Sequence, residues 1–233
     1  KIKAIFPDAE CKRDGSLHTT FCRRRYENGV ETVWQPMSFA YINRHRSKFK
    51  EMFKATKSQL HRFMNESGMH IHISKAAFTA FHFLKFTNFF YTSDKSGFLA
   101  YIAGRTGNSY ARVRSSYSAD GKKYCTKATG SRAALYFQQQ QGKTLKLSRE
   151  RSFNPDRYDI LNITNAATFE VRAFKSPHTY EDFMANIEYV YAMYLYTKDV
   201  SQADMSLQDF FKFVANNVSK FTELYNKTIA YKG

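Results

Sequence analysis

Two pairs of residues, each at spacing i, i+2, hold most of the chemistry in this chain. His70 and His72 stand in Gly68-Met69-His70-Ile71-His72-Ile73-Ser74. Glu170 and Arg172 stand in Thr168-Phe169-Glu170-Val171-Arg172-Ala173-Phe174. Neutral imidazole is a common transition-metal ligand and a good donor to phosphate. A carboxylate and a guanidinium two residues apart can pair with each other. A third candidate is Glu31, in Val30-Glu31-Thr32-Val33-Trp34. It shares a strand face with Val33, so it is either on a wet face or a ligand. The plainer alternatives are a half-exposed strand with two ordinary histidines and a structural Glu–Arg pair.

Both pairs lie where polar and apolar residues alternate, and a period of two is a strand's. His70, His72 and Ser74 then point one way and Met69, Ile71 and Ile73 the other. Thr168, Glu170 and Arg172 likewise oppose Phe169, Val171 and Ala173. Each strand has one apolar face and one face of chemistry. The preceding strand is predicted over 159–163, with a turn at 165–167.

Around these strands the pattern predicts the following elements. Lys1 to Phe6 reads as a strand stopped by Pro7-Asp8, and 9–12 as a second short one. Asp14-Gly15-Ser16 and Asn28-Gly29 read as turns, with a strand from Val30 to Trp34. Ser38 caps a long helix running to about Met64. Ser74 caps another over 75–90, and 98–103 is a short helix ended by Gly104. Helices over 180–196, 206–215 and 221–229 are rich in apolar residues and read as covering structure.

The chain carries 36 Lys plus Arg against 20 Asp plus Glu, a formal charge of +16. Such an excess attracts polyanions, whether nucleic acid, nucleotide phosphates or an anionic membrane surface. Much of it falls in Gly104–Arg151, where eleven basic residues meet only Asp120 and Glu150 as acids and four tyrosines are interleaved. Cations for phosphates and rings for bases suit single-stranded nucleic acid, and suit ATP for the same reasons. A long surface loop is the plainer reading of that segment. Three cysteines at unrelated spacings give no zinc pattern and no disulfide framework, so a reducing cytoplasm is expected. No run of about 18 apolar residues is present, so no membrane span is expected. With 22 Phe and 16 Tyr a folded core is assured, and no linker divides the chain. A single domain over 1–233 is expected, with 104–151 a basic insertion or loop within it.

Taken in order, Asp-Gly-Ser (14–16), Gly-Val-Glu-Thr-Val (29–33) with Gln-Pro-Met (35–37), Gly-Met-His-Ile-His-Ile-Ser (68–74), Arg157-Tyr158, Asn162-Ile163-Thr164-Asn165 and Thr-Phe-Glu-Val-Arg-Ala-Phe (168–174) form a series. This series resembles the amidoligases of phages and mobile elements, a branch of the glutamine-synthetase-like carboxylate–amine ligases. The resemblance runs from about Ala9 to the C-terminus. It implies an α+β fold, a curved antiparallel sheet flanked by helices, whose concave face holds metal ions, ATP and the acceptor carboxylate. It implies an ATP-dependent reaction in which a carboxylate becomes an acyl phosphate and an amine displaces the phosphate, with Mg²⁺ or Mn²⁺ as the metal.

By the same resemblance His70 and Glu170 would be metal ligands, and His72 and Ser74 would lie on the nucleotide side. Arg172 would stabilise the transferring phosphate, Arg157 would bind phosphate or the substrate carboxylate, and Asn162 would position substrate. Glu31 and Asp14 would be acids of the metal or amine site. Two departures stand out. The family's opening strand, Gly-x-Glu-x-Glu, is not found, and Ser176-Pro177 stand where the family has Gly-Thr. A competing expectation is a non-enzymatic nucleic-acid-binding protein on a degenerate copy of this fold, working through Gly104–Arg151.

Overall fold

The computed structural model describes residues 1–21, 24–60, 67–95, 97–105, 111, 116–117, 123–124 and 157–232. Two compact units are distinguished, Lys1–Gly68 with Lys175–Met184, and Met69–Phe174 with Ala185–Gly233. The class is α+β, with small antiparallel sheets and helices packed on them.

The first unit opens with a single helical turn, α1 (Ile2–Ile5), where a strand was expected. Six residues before a proline are too few for alternation to outweigh burial, and Phe6 is anchored instead, edge-on to Trp34 at 4.9 Å and against Phe49 at 4.7 Å. A long antiparallel hairpin follows, β1 (Glu10–Phe21) and β2 (Arg24–Val33). Neither expected turn is a turn. Asn28-Gly29 lies inside β2, and Gly29 pairs with Asp14. Between Asp14 and His18 the register slips, so Gly15-Ser16 becomes a bulge. A glycine inside a paired strand commonly marks such a site.

The long helix expected from Ser38 is instead two. In α2 (Phe39–Arg44) the Ser38 hydroxyl accepts the Tyr41 amide at 3.1 Å, the predicted cap. The helix stops at His45, whose φ/ψ of −106°/20° leave the helical region, and whose ring Nδ1 lies 2.9 Å from the Tyr41 carbonyl oxygen. Helix α3 (Arg46–Leu60) then resumes, and buries Phe49 against Phe183 at 5.3 Å.

The second unit is built on a three-stranded sheet of β3 (Gly68–Ser74), β6 (Leu161–Asn162) and β7 (Thr168–Lys175), with β7 in the middle. Strands β4 (Ser116–Tyr117) and β5 (Lys123–Tyr124) form a separate two-residue ladder. The helix expected from Ser74 begins later. The Lys75 amide is taken by the Ala167 carbonyl at 2.9 Å, which carries the β3 edge one residue further. A 3₁₀ turn (Lys75–Ala77) intervenes, and α4 (Ala80–Lys95) starts where the Thr79 hydroxyl accepts the His82 amide at 3.1 Å. Helix α5 (Phe98–Ala103) ends, as expected, at Gly104 with φ +67°. Helices α6 (Tyr180–Asp199, its residues through Met184 counted with the first unit), α7 (Leu207–Ala215) and α8 (Thr222–Ala230) complete the chain.

The apolar residues of β7 make this unit's core, Phe169 from one face of the strand and Phe174 from the other, near its end. Phe169 stacks on Phe83 of α4 at 3.9 Å, and Phe174 meets Tyr189 of α6 edge-on at 6.4 Å. All four rings are fully buried, each worth roughly 1.5–3 kcal/mol of transfer free energy. Polar groups inside this core are spent on helix ends. Lys85 Nζ donates to the carbonyls of Lys198 and Val200, at 2.9 and 2.8 Å, at the C-terminus of α6. Glu188 accepts the Leu224 amide at 2.8 Å in the first turn of α8. No helix among the described residues is long and apolar enough to cross a membrane.

Candidate functional site

The alternation along β7 does what its sequence predicts. Phe169, Val171 and Ala173 face the core and Thr168, Glu170 and Arg172 face away from it. Strand β6 pairs antiparallel with β7, setting Asn162 opposite Glu170. On the other side, the backbone bonds flanking β3 and β7 join Lys75 to Ala167 and Ser67 to Ser176, so this pair also runs antiparallel. His70, His72 and Ser74 are therefore exposed beside the polar face of β7. Two motifs a hundred residues apart become one cluster.

Glu170 is its centre. Although it lies on the polar face it is only 6% exposed, because neighbours close over it from both strands. Its Oε1 accepts from the Arg172 guanidinium and from His70 Nδ1 at 3.0 Å. Its Oε2 accepts from Asn162 Nδ2 at 2.7 Å and Asn165 Nδ2 at 3.3 Å. His72 Nε2 stands 3.9 Å from Oε1, too far for a hydrogen bond, and its Nδ1 lies 3.0 Å from the Thr168 hydroxyl. Burial by itself pushes the Glu170 carboxyl upward. The hydrogen bonds from His70 and Asn162 and the charge of Arg172 outweigh it and hold the group down at about 2. Glu170 is thus a fixed anion.

The surrounding residues lock this arrangement. Asn162 Oδ1 accepts from the amide and hydroxyl of Thr164, at 2.9 and 2.8 Å, which turns its Nδ2 toward Glu170. Lys75 Nζ holds the same loop through the Ile163 carbonyl at 3.0 Å. Arg105 donates to the carbonyls of Ala173 and Arg172, both at 3.0 Å. Burial lowers the Arg105 pKa, and the neighbouring Arg172 lowers it further. Sequence reasoning had counted Arg105 only as one cation of a basic run, and had given Asn165, Thr168 and Lys75 no role. Thr168 was legible, since it shares a strand face with Glu170. Asn165 and Lys75 act through loop geometry, which no periodicity reports.

The other expected site residues are placed as follows. Ser74 is exposed at the end of β3, on the histidine face. Arg157 is exposed, with its guanidinium over the ring of the adjacent Tyr158 at 5.3 Å. The strand expected over 159–163 is reduced to Leu161–Asn162, though the Ile160 carbonyl still accepts the Arg172 amide at 2.8 Å. Glu31 and Asp14 belong to the hairpin of the first unit, opposite Lys12 and Gly29. The expectation for the Asp14 side chain lies outside the described residues. The Gly104–Arg151 segment lies almost wholly outside the described residues.

The metal expectation for His70 and Glu170 does not fit the cluster as arranged. Among the described residues no group of three or more His, Cys, Asp or Glu is placed to hold a metal ion. The reason is visible at Glu170, where four donors already use the acceptor capacity of both oxygens. A guanidinium also occupies the place where a cation would bind. Magnesium, which demands oxygen ligands at near-octahedral geometry, finds none available there.

The geometry suits an anion better. A guanidinium and two imidazoles line one polar sheet face, and the single carboxylate among them is buried beneath and neutralised. Comparison with family models, with curated proteins and with solved structures gives no match for this chain.

Proposed function

We propose that the polar face of the β3–β7–β6 sheet binds the anionic groups of an ATP-dependent carboxylate–amine ligation, in which a carboxylate is activated as an acyl phosphate and captured by an amine. The observation that supports this reading is the single network formed by the His-x-His and Glu-x-Arg motifs of the series. In it Arg172 is held by Glu170 and meets the transferring phosphate or the substrate carboxylate, while His72 and Ser74 lie alongside for the nucleotide. Asn162, buried and fixed by Thr164, holds the Glu170 carboxylate in place. The reading calls for ATP with Mg²⁺ or Mn²⁺, whose ligands lie outside this cluster. The substrates are a small-molecule or peptide carboxylate and an amine, on a glutamine-synthetase-like sheet.

A second reading has its own support in the charge of +16: binding of single-stranded nucleic acid through Gly104–Arg151. Calorimetry with a non-hydrolysable ATP analogue, with and without Mg²⁺, at moderate salt separates the two. Metal-dependent binding that is lost in Arg172→Gln is the expected result. No nucleotide binding, together with an affinity for single-stranded DNA that collapses by orders of magnitude between low and moderate salt, would replace the first reading by the second.

A further inference from the structure

The contacts of Glu170 decide the state of one imidazole, and that state carries a chemistry the metal expectation had hidden. A carboxylate that accepts from the Arg172 guanidinium on one oxygen and from Asn162 and Asn165 on the other is an acceptor only. His70 Nδ1 stands 3.0 Å from its Oε1, so at that distance Nδ1 must carry the hydrogen. The Arg172 guanidinium also approaches Nδ1, at 3.4 Å. That longer contact is between two donors sharing one acceptor, because Arg172 itself donates to the same Oε1. With Nδ1 protonated, the lone pair of neutral His70 sits on Nε2, on the far side of the ring from Glu170. The exposures agree: the His70 side chain is 31% exposed and that of Glu170 is 7%. His72 is a control on the same strand. Its Nδ1 is on the Thr168 hydroxyl and no carboxylate sets its tautomer.

We propose that His70 and Glu170 form a carboxylate–imidazole pair in which Nε2 of His70 is the proton acceptor for the amine nucleophile. The proposal rests on the ligase reading for its substrate and on the geometry alone for the pair. In the step, the amine nitrogen attacks the carbonyl carbon of the acyl phosphate and forms the C–N bond. The C–O bond to phosphate breaks and phosphate leaves with the electron pair. The proton lost from the amine nitrogen goes to Nε2, and the resulting imidazolium faces the Glu170 anion, which stabilises it. Arg172 keeps Glu170 ionised throughout. Glu170 acts through His70 and is a positioning residue.

Nitrogen-15 NMR of histidine-labelled full-length protein tests the pair. The expected spectrum shows His70 with a protonated Nδ1 and a lone-pair Nε2, and Glu170→Met loses that preference because no acceptor then faces Nδ1 and the Arg172 guanidinium can donate to it. The same tautomer preference in Glu170→Met, or a wild-type His70 with hydrogen on Nε2, overturns the proposal. Amide formation from acetyl phosphate and methylamine tests the base. This probe needs neither ATP nor an acceptor carboxylate. His70→Gln is expected to lose roughly 100-fold or more, with Lys212→Gln, an exposed residue outside the cluster, close to wild type. Equal rates in His70→Gln and wild type, or no amide from wild type, overturn the base role. Failure of the ligase reading looks different: no ATP analogue binds, while the NMR tautomer is unchanged.

Discussion

Changing Glu170 to Gln should cost stability in a way that depends on pH with a known sign. The folded carboxyl is held at about 2 against an ordinary 4.5. At 1.36 kcal/mol per pKa unit this difference corresponds to about 3 kcal/mol favouring the folded state. Because the folded value lies below the unfolded one, the stabilisation is fully present above about pH 5 and is lost as pH falls from 4.5 through 2. At pH 3 about 1 kcal/mol should remain. The variant loses this contribution and also turns an amide NH₂ toward donors, either Asn162 and Asn165 or Arg172 and His70. Breaking a buried charged pair on one side typically costs roughly 3–5 kcal/mol, in agreement with the pKa arithmetic. Urea unfolding followed by far-ultraviolet circular dichroism, at pH 7 and at pH 3, measures both numbers. A gap between wild type and Glu170→Gln of under about 1 kcal/mol at pH 7, or one that fails to narrow in acid, would refute the account of Glu170 as a buried, donor-saturated anion.

Two further substitutions probe the frame that carries the cluster. Lys85→Met leaves the carbonyls of Lys198 and Val200 without the ammonium that bridges them, and should lower thermal stability by roughly 1.5–3 kcal/mol, the range for hydrogen bonds to a charged group; a loss under about 0.5 kcal/mol in differential scanning calorimetry would contradict it. Ser38→Ala removes the cap of α2 and should cost about 1 kcal/mol, with faster hydrogen exchange at the Tyr41 amide as its local signature; unchanged exchange there would show that the cap is not formed in solution.

Local pattern was enough to identify the strands that matter. Alternation over 68–74 and 168–174 is a backbone property, since successive side chains on a strand must point to opposite faces. The apolar faces and the outward-facing His70, His72, Glu170 and Arg172 were therefore legible in the chain itself. So were Ser38 as a cap, Gly104 as a terminator and the helices expected over 180–196, 206–215 and 221–229, because each follows from a period or a side chain acting within a few residues.

What lay beyond reach depends on partners distant in sequence. Asp14-Gly15-Ser16 and Asn28-Gly29 have turn composition, but each lies opposite the other in a long ladder, and pairing overrode local preference. The helix after Ser74 was displaced because the Lys75 amide was claimed by Ala167, more than ninety residues away. Above all, the family resemblance implied Glu170 as a metal ligand, which requires free oxygen lone pairs. Only the tertiary structure, by bringing His70, Asn162, Asn165 and Arg172 around it, shows those lone pairs already taken. The residue type sets what a side chain can do, and the donors folded against it decide which of those things remains open.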